Sequence, residues 1–327
     1  MNPPTSLAAM LKPVQPGLSR MREVLAAQIG DGSPAVRDMT DHVGRFQGKQ
    51  LRGALVLLIG EATGNSTDEH ATIAAIVEMI HLATLVHDDI LDGAKVRRKV
   101  ACVNERWDNQ VAVLLGDFLY ARAFALSTEL SSRLCSRLLS ETTRRICVGE
   151  IEQSTRRYDF ELAQERYEAI AGAKTATLYA AACELGACYP AGNEELGAAM
   201  RAFGWELGLS FQIVDDCLDL AGDERRVGKS LGTDLSERKM TLPLIRLLAR
   251  VGPEKAAEVR ALLGDASIAD PRAALAASVD FTPDVQSARA TAEQFVRDGL
   301  AQLDALLPSP SRTTLRAMGE FVLERDK

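Results

Sequence analysis

Apolar residues recur at the helical interval along most of the chain. Between Thr67 and Leu91 they fall at Ile73, Ile76, Val77, Ile80 and Ala83, the three-and-four spacing that lines one face of an α-helix. Similar stretches run from about Asn104 to Glu129, Ser131 to Arg157, Ala176 to Cys188 and Asn193 to Ala221. Pro190, Pro243, Pro253, Pro271 and Pro283 fall between these stretches or near their ends, where a residue without an N–H does least harm to a helix. No stretch alternates at the strand period, and there is no tandem repeat. The pattern weakens from Gly264 to Pro283, which predicts a loop with a short helix. The expectation is one all-α domain over residues 1–327, a bundle of roughly a dozen helices. Residues 1–16, with prolines at 3, 4, 13 and 16, are expected to be disordered.

Composition narrows the class. The chain is 46% hydrophobic and 25% charged, enough apolar material for a large core. Its 38 basic and 45 acidic side chains leave a net charge of -7. That balance argues against nucleic-acid binding, which rests on neutralising phosphates with Lys and Arg. The six cysteines form no CxxC pair and no metal-type spacing, so they read as reduced thiols and a cytoplasmic location. The N-terminus lacks the apolar core of a signal peptide. Unbroken apolar runs such as Ala54 to Ile59 are too short for a transmembrane segment.

Two aspartate clusters carry the chemistry. Asp88-Asp89-Ile90-Leu91-Asp92 ends one strongly apolar stretch, and Asp215-Asp216-Cys217-Leu218-Asp219 follows another. In each, the first and last Asp lie one helical turn apart on the same face. Carboxylates crowded in this way repel one another unless a cation lies among them. Oxygen-only ligands select a hard ion, Mg²⁺ rather than Zn²⁺. Mg²⁺ commonly takes one or two carboxylates and completes its shell with water and phosphate oxygens. Each cluster therefore reads as half of a metal–phosphate site. One such cluster could be a solvated helix end; two, each after an apolar run, point to a site.

A diphosphate also needs protein cations. Gly48-Lys49-Gln50-Leu51-Arg52-Gly53 opens an apolar helix, Arg97-Arg98 follows the first cluster, and Lys174-Thr175 stands between two helical stretches. Gly228-Lys229-Ser230-Leu231-Gly232-Thr233-Asp234, with Lys239 after it, follows the second cluster. Arginine suits phosphate through its planar fork. Singly these signals are weak, and the pairs Arg144-Arg145, Arg156-Arg157 and Arg225-Arg226 read better as solvated helix faces. The segment from Asp223 to Lys239 reads as a lid.

In this order the motifs resemble the trans-type polyprenyl diphosphate synthases, with long-chain, octaprenyl-type enzymes as the nearest pattern. The match covers about positions 48 to 240: GKxxR, HxxxxxHDDxxD with RR downstream, LLGD, GExxQ, KT, FQxxDDxLD and GKxxGTD with a following Lys. The resemblance implies a helical bundle around a central cavity, usually a homodimer. It implies that Asp88, Asp92 and Asp215 ligate Mg²⁺, roughly three ions per site, with Asp89, Asp216 and Asp219 beside them. Arg97, Lys174 and Lys229 would hold an allylic diphosphate (dimethylallyl, geranyl, farnesyl or geranylgeranyl), with Lys239 closing on it. Lys49, Arg52, His81 and Arg98 would hold isopentenyl diphosphate, and Thr175 and Gln212 would line the reacting region. The sequence departs from the family at Gln50, Lys99, Ala101 and Asp108, where a second base, Gly, Pro and Gly are usual.

The implied reaction is head-to-tail, trans condensation of the allylic diphosphate with isopentenyl diphosphate, with release of diphosphate. A class I terpene cyclase would share the first cluster but carry a second metal motif rich in Asn, Ser and Glu. A non-catalytic partner subunit would have lost aspartates. Product length is expected to depend on the helix before Asp88, one turn of about 5.4 Å per isoprene unit. Ala83 and Thr84 form its first floor, Ile80 the next and Ile76 the one below. None is aromatic, which predicts a product longer than C15.

Overall fold

The computed structural model describes residues 6–30, 33–46, 48–190, 192–222 and 231–324. Helix α1 spans Leu7–Leu11 and runs through a 3-10 turn into α2, Gln15–Gly30. The expected disorder of residues 1–16 is therefore corrected from Ser6 onward. Ser6 caps α1 by accepting from the Ala9 N–H, and Met10, Val14 and Leu18 are buried; apolar burial outweighs the proline content. Helices α3 (Pro34–Gly44), α4 (Leu51–Thr63) and α5 (Asp68–Leu91) follow. The stretch read as one helix from Asn104 is two, α6 (Val103–Arg106) and α7 (Asn109–Thr128). The break comes at Asp108, whose carboxylate accepts from the Val111 N–H at 2.7 Å and so caps α7, as short polar side chains do at helix starts.

Helices α8 (Leu134–Thr155), α9 (Gln164–Ala171), α10 (Thr177–Cys188) and α11 (Glu194–Ala221) come next. Further helices occupy Thr233–Ser236, Leu242–Arg250, Pro253–Gly264, Pro271–Ser278, Thr282–Gln302 and Pro310–Leu323. Pro253, Pro271 and Pro243 stand in the first turns of their helices. The weak segment after Gly264 holds the short helix Pro271–Ser278, as expected. Among the described residues the only sheet is an antiparallel hairpin, Val96–Arg97 (β1) with Val100–Ala101 (β2).

Contacts divide the chain into two compact units, each drawn from separate stretches. The first comprises residues 1–142, 178–204 and 302–318; the second comprises 143–177, 205–301 and 319–327. In the first, α5 packs against α2, α4 and α7. Ala54 to Ile59 of α4 and Ile73, Ile76, Val77 and Ile80 of α5 are fully or almost fully buried. Helices α5 and α7 are each long and apolar enough to cross a membrane by length and composition, although neither is an unbroken apolar run. Here they pack on each other.

In the second unit Ile213, Val214 and Leu218 of α11 join Leu242, Leu247, Val259, Leu275 and Ala288 in one apolar cluster. Asp284 is buried there and accepts a forked pair of bonds from Arg250, at 2.9 and 2.8 Å. Glu206 of α11 has no such partner. Its Oε2 is buried without a hydrogen bond. Burial, and then the negative charges of Asp298 and Glu168, push its carboxyl up to about 7. Folding thus disfavours its ionised form. Its contribution is fully present below the ordinary carboxylate value and is lost as pH rises through about 7. Glu206→Gln should leave the urea midpoint unchanged near pH 4. At pH 8.5 it should stabilise the fold by about 1–2 kcal/mol, a value discounted for partial solvent screening.

Candidate active site

In the first unit, Asp88 and Asp89 lie in the last turn of α5 and Asp92 is its C-cap. Carboxylates there meet the negative end of the helix dipole, which adds to their mutual repulsion and favours a cation. The three are not equivalent. Asp88 and Asp92 are half-buried, one turn apart. Asp89 is fully buried and turned back into the protein. Its Oδ1 accepts from Arg97 Nε at 2.8 Å and from a terminal guanidinium nitrogen at 2.7 Å. Burial raises the Asp89 carboxyl above its ordinary value, with Arg97 pulling it down. Burial and the adjacent Asp89 carboxylate push the Cys102 thiol up to about 12. Asp89 is thus the residue that holds Arg97 in the hairpin.

Three arginines of this unit act on His81. Burial and then the charges of Arg52, Arg98 and Arg97 hold His81 well below its ordinary value, so it presents a neutral imidazole. The Arg52 guanidinium lies 4.2 Å from the centre of the Tyr179 ring. Arg98 donates to the Phe46 carbonyl and lies over Gly48, which carries the GKxxR segment to the Arg pair. Glu78, one turn before His81, accepts from the Gly53 N–H at 2.9 Å. Burial raises its carboxyl, while Arg52 and Arg98 draw it down. Glu78 was missed in the sequence, although its three-residue spacing from His81 puts both on one face of α5.

In the second unit the Asp215 cluster is two turns from the end of α11, and again the inner carboxylates are committed. Asp216 Oδ2 accepts from Tyr167 Oη at 2.6 Å, and Oδ1 accepts from Gln212 Nε2 at 2.7 Å. The Gln212 carbonyl accepts from Thr175 Oγ1 at 2.7 Å. One hydrogen-bonded chain therefore joins the KT and FQxxDD motifs to Tyr167. Burial, and then Asp234, raise Asp216 well above its ordinary value. Asp219 is buried and accepts from Thr233 Oγ1 at 2.9 Å and the Asp234 N–H at 3.0 Å, fixing the start of the Thr233–Ser236 helix. Asp215 is half-buried.

Lys174 stands in a π-helical turn, Gly172–Ala176, that joins α9 to α10 without a break, rather than in a linker. Such turns recur at functional sites. Its ammonium bonds Glu150 at 2.8 Å and the Gln153 carbonyl at 3.1 Å. Gly149 lets the helix carrying both come close, since an added Cβ would lie 2.9 Å from the Lys174 N. The GExxQ motif is thus the holder of Lys174. A pocket in this unit is lined by Gln153, Lys174, Gln212, Asp216 and Lys239, and by Arg156. Arg156, read from the sequence as a solvated face, belongs to this lining. Lys239 pairs with Glu237. Lys229 and most of the lid segment lie outside the described residues.

Both halves have relatives among known proteins. The sequence model of the polyprenyl synthetase family matches residues 33–277. The chain belongs to this family, the trans-polyprenyl diphosphate synthases. It is 34% identical over 284 residues to the octaprenyl diphosphate synthase of Escherichia coli K12, covering 86% of this chain and 87% of that one. It is 37% identical over 247 residues to a geranyl-diphosphate-specific all-trans-nonaprenyl-diphosphate synthase of Rhodobacter capsulatus, covering 75% and 76%. Its fold matches a polyprenyl synthase of Caulobacter crescentus CB15 solved with calcium and isoprenyl diphosphate, with TM-score 0.92 and 30% identity, covering 98% of each chain.

Within the synthase, the helix-floor residues are placed unevenly. Ala83, Ile80 and Ile76 are fully buried. Thr84 is half-buried, its hydroxyl donating to the His81 carbonyl at 2.7 Å. The accessible stripe of α5 runs through Glu78, His81, Thr84, Leu85, Asp88 and Asp92. On the helix's other side His87 meets α7 at the LLGD motif, with Nε2 at 3.1 Å from the Val113 carbonyl. A Cβ on Gly116 would lie 2.1 Å from His87 Nε2. Gly116→Ala should therefore displace the His87 ring and its bond to Val113, costing about 0.5–1.5 kcal/mol in a thermal melt together with part of the activity. A variant of wild-type stability and rate would refute this packing role.

Proposed function

We propose that the synthase condenses an allylic diphosphate with isopentenyl diphosphate, head to tail and trans, to a polyprenyl diphosphate longer than C15. The observation that carries this reading is the division of carboxylates in both clusters. Asp89, Asp216 and Asp219 are buried, while Asp88, Asp92 and Asp215 are half-buried and within reach of solvent. The donor chemistry of each cluster is oxygen only, set where repulsion within that cluster and, for α5, the helix dipole favour a cation. It fits Mg²⁺, and we assign Asp88, Asp92 and Asp215 as its ligands, with roughly three ions per site. When bound, the metal neutralises charge on the leaving diphosphate.

The chain's own residues do the rest. Arg97, Lys174, Lys229 and Lys239 hold the allylic diphosphate; Lys49, Arg52, His81 and Arg98 hold that of isopentenyl diphosphate. Neutral His81 donates a hydrogen bond without adding charge to an already crowded set of guanidiniums. Fixed anchoring of both substrates makes carbon–carbon bond formation effectively intramolecular. The isopentenyl double bond attacks the allylic carbon as its diphosphate departs. With Asp89, Asp216 and Asp219 already engaged, the proton then lost goes to the departed diphosphate. The whole chain, residues 1–327, is read as one such synthase, cytoplasmic and homodimeric. Val113 and Leu114 of α7, 43% and 60% exposed, are apolar positions a second copy would cover.

Incubating radiolabelled isopentenyl diphosphate with farnesyl diphosphate should give labelled polyprenyl product with Mg²⁺ and none in excess chelator. Asp88→Ala and Asp215→Ala should each lower kcat by about a hundredfold or more; full activity in chelator would end the proposal.

Product length should respond to bulk on the accessible stripe. Thr84→Phe places a ring there with little repacking. Ala83→Phe forces a ring into a filled site and should also lower the melting temperature, overpacking costing about 1–3 kcal/mol. Both should shorten the product toward C15 or C20 in thin-layer chromatography. An unchanged product ladder from both variants would show that the growing chain does not follow α5.

A further inference from the structure

The hairpin that carries Arg97 and Arg98 is poorly able to hold its own shape. Each strand is two residues long, and isolated hairpins are marginal even when longer. Its turn residues, Arg98 and Lys99, have φ of 51° and 66°. Hairpin turns of this kind favour Asn and Gly, and an L side chain in this region costs about 1 kcal/mol or more. The family's usual Gly at the second position and Pro just after the turn are both absent.

Helix α3 supplies the missing constraint. His42 is 4% exposed and lies edge-on to Phe46 and Trp107, with ring centroids at 5.5 and 5.2 Å. Its Nε2 is 2.7 Å from the carbonyl of Ala101, the β2 residue paired with Val96. Its Nδ1 is 2.9 Å from a guanidinium nitrogen of Arg106. A guanidinium only donates, so Nδ1 must accept, and Nε2 must carry the proton that bonds Ala101. Arg106 is itself held by Asp38 at 3.3 Å and by the Trp107 ring at 4.5 Å. One turn after His42, the Phe46 carbonyl accepts from Arg98. Helix α3 and the turn that follows it thus grip the hairpin at its second strand and at its turn.

We propose that His42, held in one tautomer by Arg106, is a positioning residue that sets Arg97 and Arg98 for both diphosphates at once. The inference rests on the diphosphate roles proposed above for those two arginines. It makes a distinct kinetic claim: a change at His42 acts on both substrates, because the two arginines are neighbours on one hairpin. The hairpin that carries both arginines is then positioned from an element outside the motifs.

The test is steady-state kinetics of the purified full chain with Mg²⁺, varying each substrate, alongside a thermal melt. His42→Ala should raise KM for both substrates by about tenfold or more. His42→Gln, whose amide can still donate to the Ala101 carbonyl, should recover most of that loss. If His42→Ala fails to fold, Arg106→Gln, which frees the tautomer, should move both KM values in the same direction by a smaller factor. A lowered melting temperature with both KM values unchanged would make His42 merely structural and overturn the proposal. So would a rise confined to one substrate, or a Gln variant no better than Ala. Absence of condensation by the wild-type chain would instead remove the functional reading on which the inference rests.

Discussion

A cation proposed to meet a diphosphate must stay in place before the diphosphate arrives, and here carboxylates do that holding. Asp89 grips Arg97 at 2.8 Å, Glu150 grips Lys174 at 2.8 Å, and Glu237 pairs with Lys239. Glu78 balances Arg52 and Arg98. Charges withdrawn from water are stable only when paired and hydrogen-bonded. The pairing fixes each donor's direction, so little reorganisation remains when charge develops on a leaving group.

The same principle explains why the two clusters hold more aspartates than the three proposed as metal ligands. Asp216 closes the chain Thr175–Gln212–Asp216–Tyr167, and Asp219 ties down the backbone at Thr233 and Asp234. Each motif thus contains one carboxylate or more that braces a neighbouring motif. That bracing couples segments far apart in sequence, and it is the reason single motifs say less than their set.

The departures from the family pattern are absorbed locally. Asp108, where Gly is usual, becomes the N-cap of α7. Gln50, where a second base is usual, sits at φ 51° as the N-cap position of α4, and its side-chain carbonyl accepts from Arg22 Nε at 2.9 Å. The side chain that stands in place of a motif base thus ties the start of α4 to α2.

The sequence by itself determined the all-α class, most helix positions and the identity of the chemical groups. Helical periodicity and two repeated carboxylate patterns are local properties, and local properties survive in a linear text. The tertiary structure alone decided which carboxylate in each cluster turns inward, since neighbours in one motif differ only in the surface they face. It also decided that GExxQ serves Lys174 and that Gly116 admits His87. Tyr167 and His42 left no signal, because their partners lie 49 and 59 residues away. A lone Tyr or His on a helix acquires a role only when packing brings it to the group it bonds.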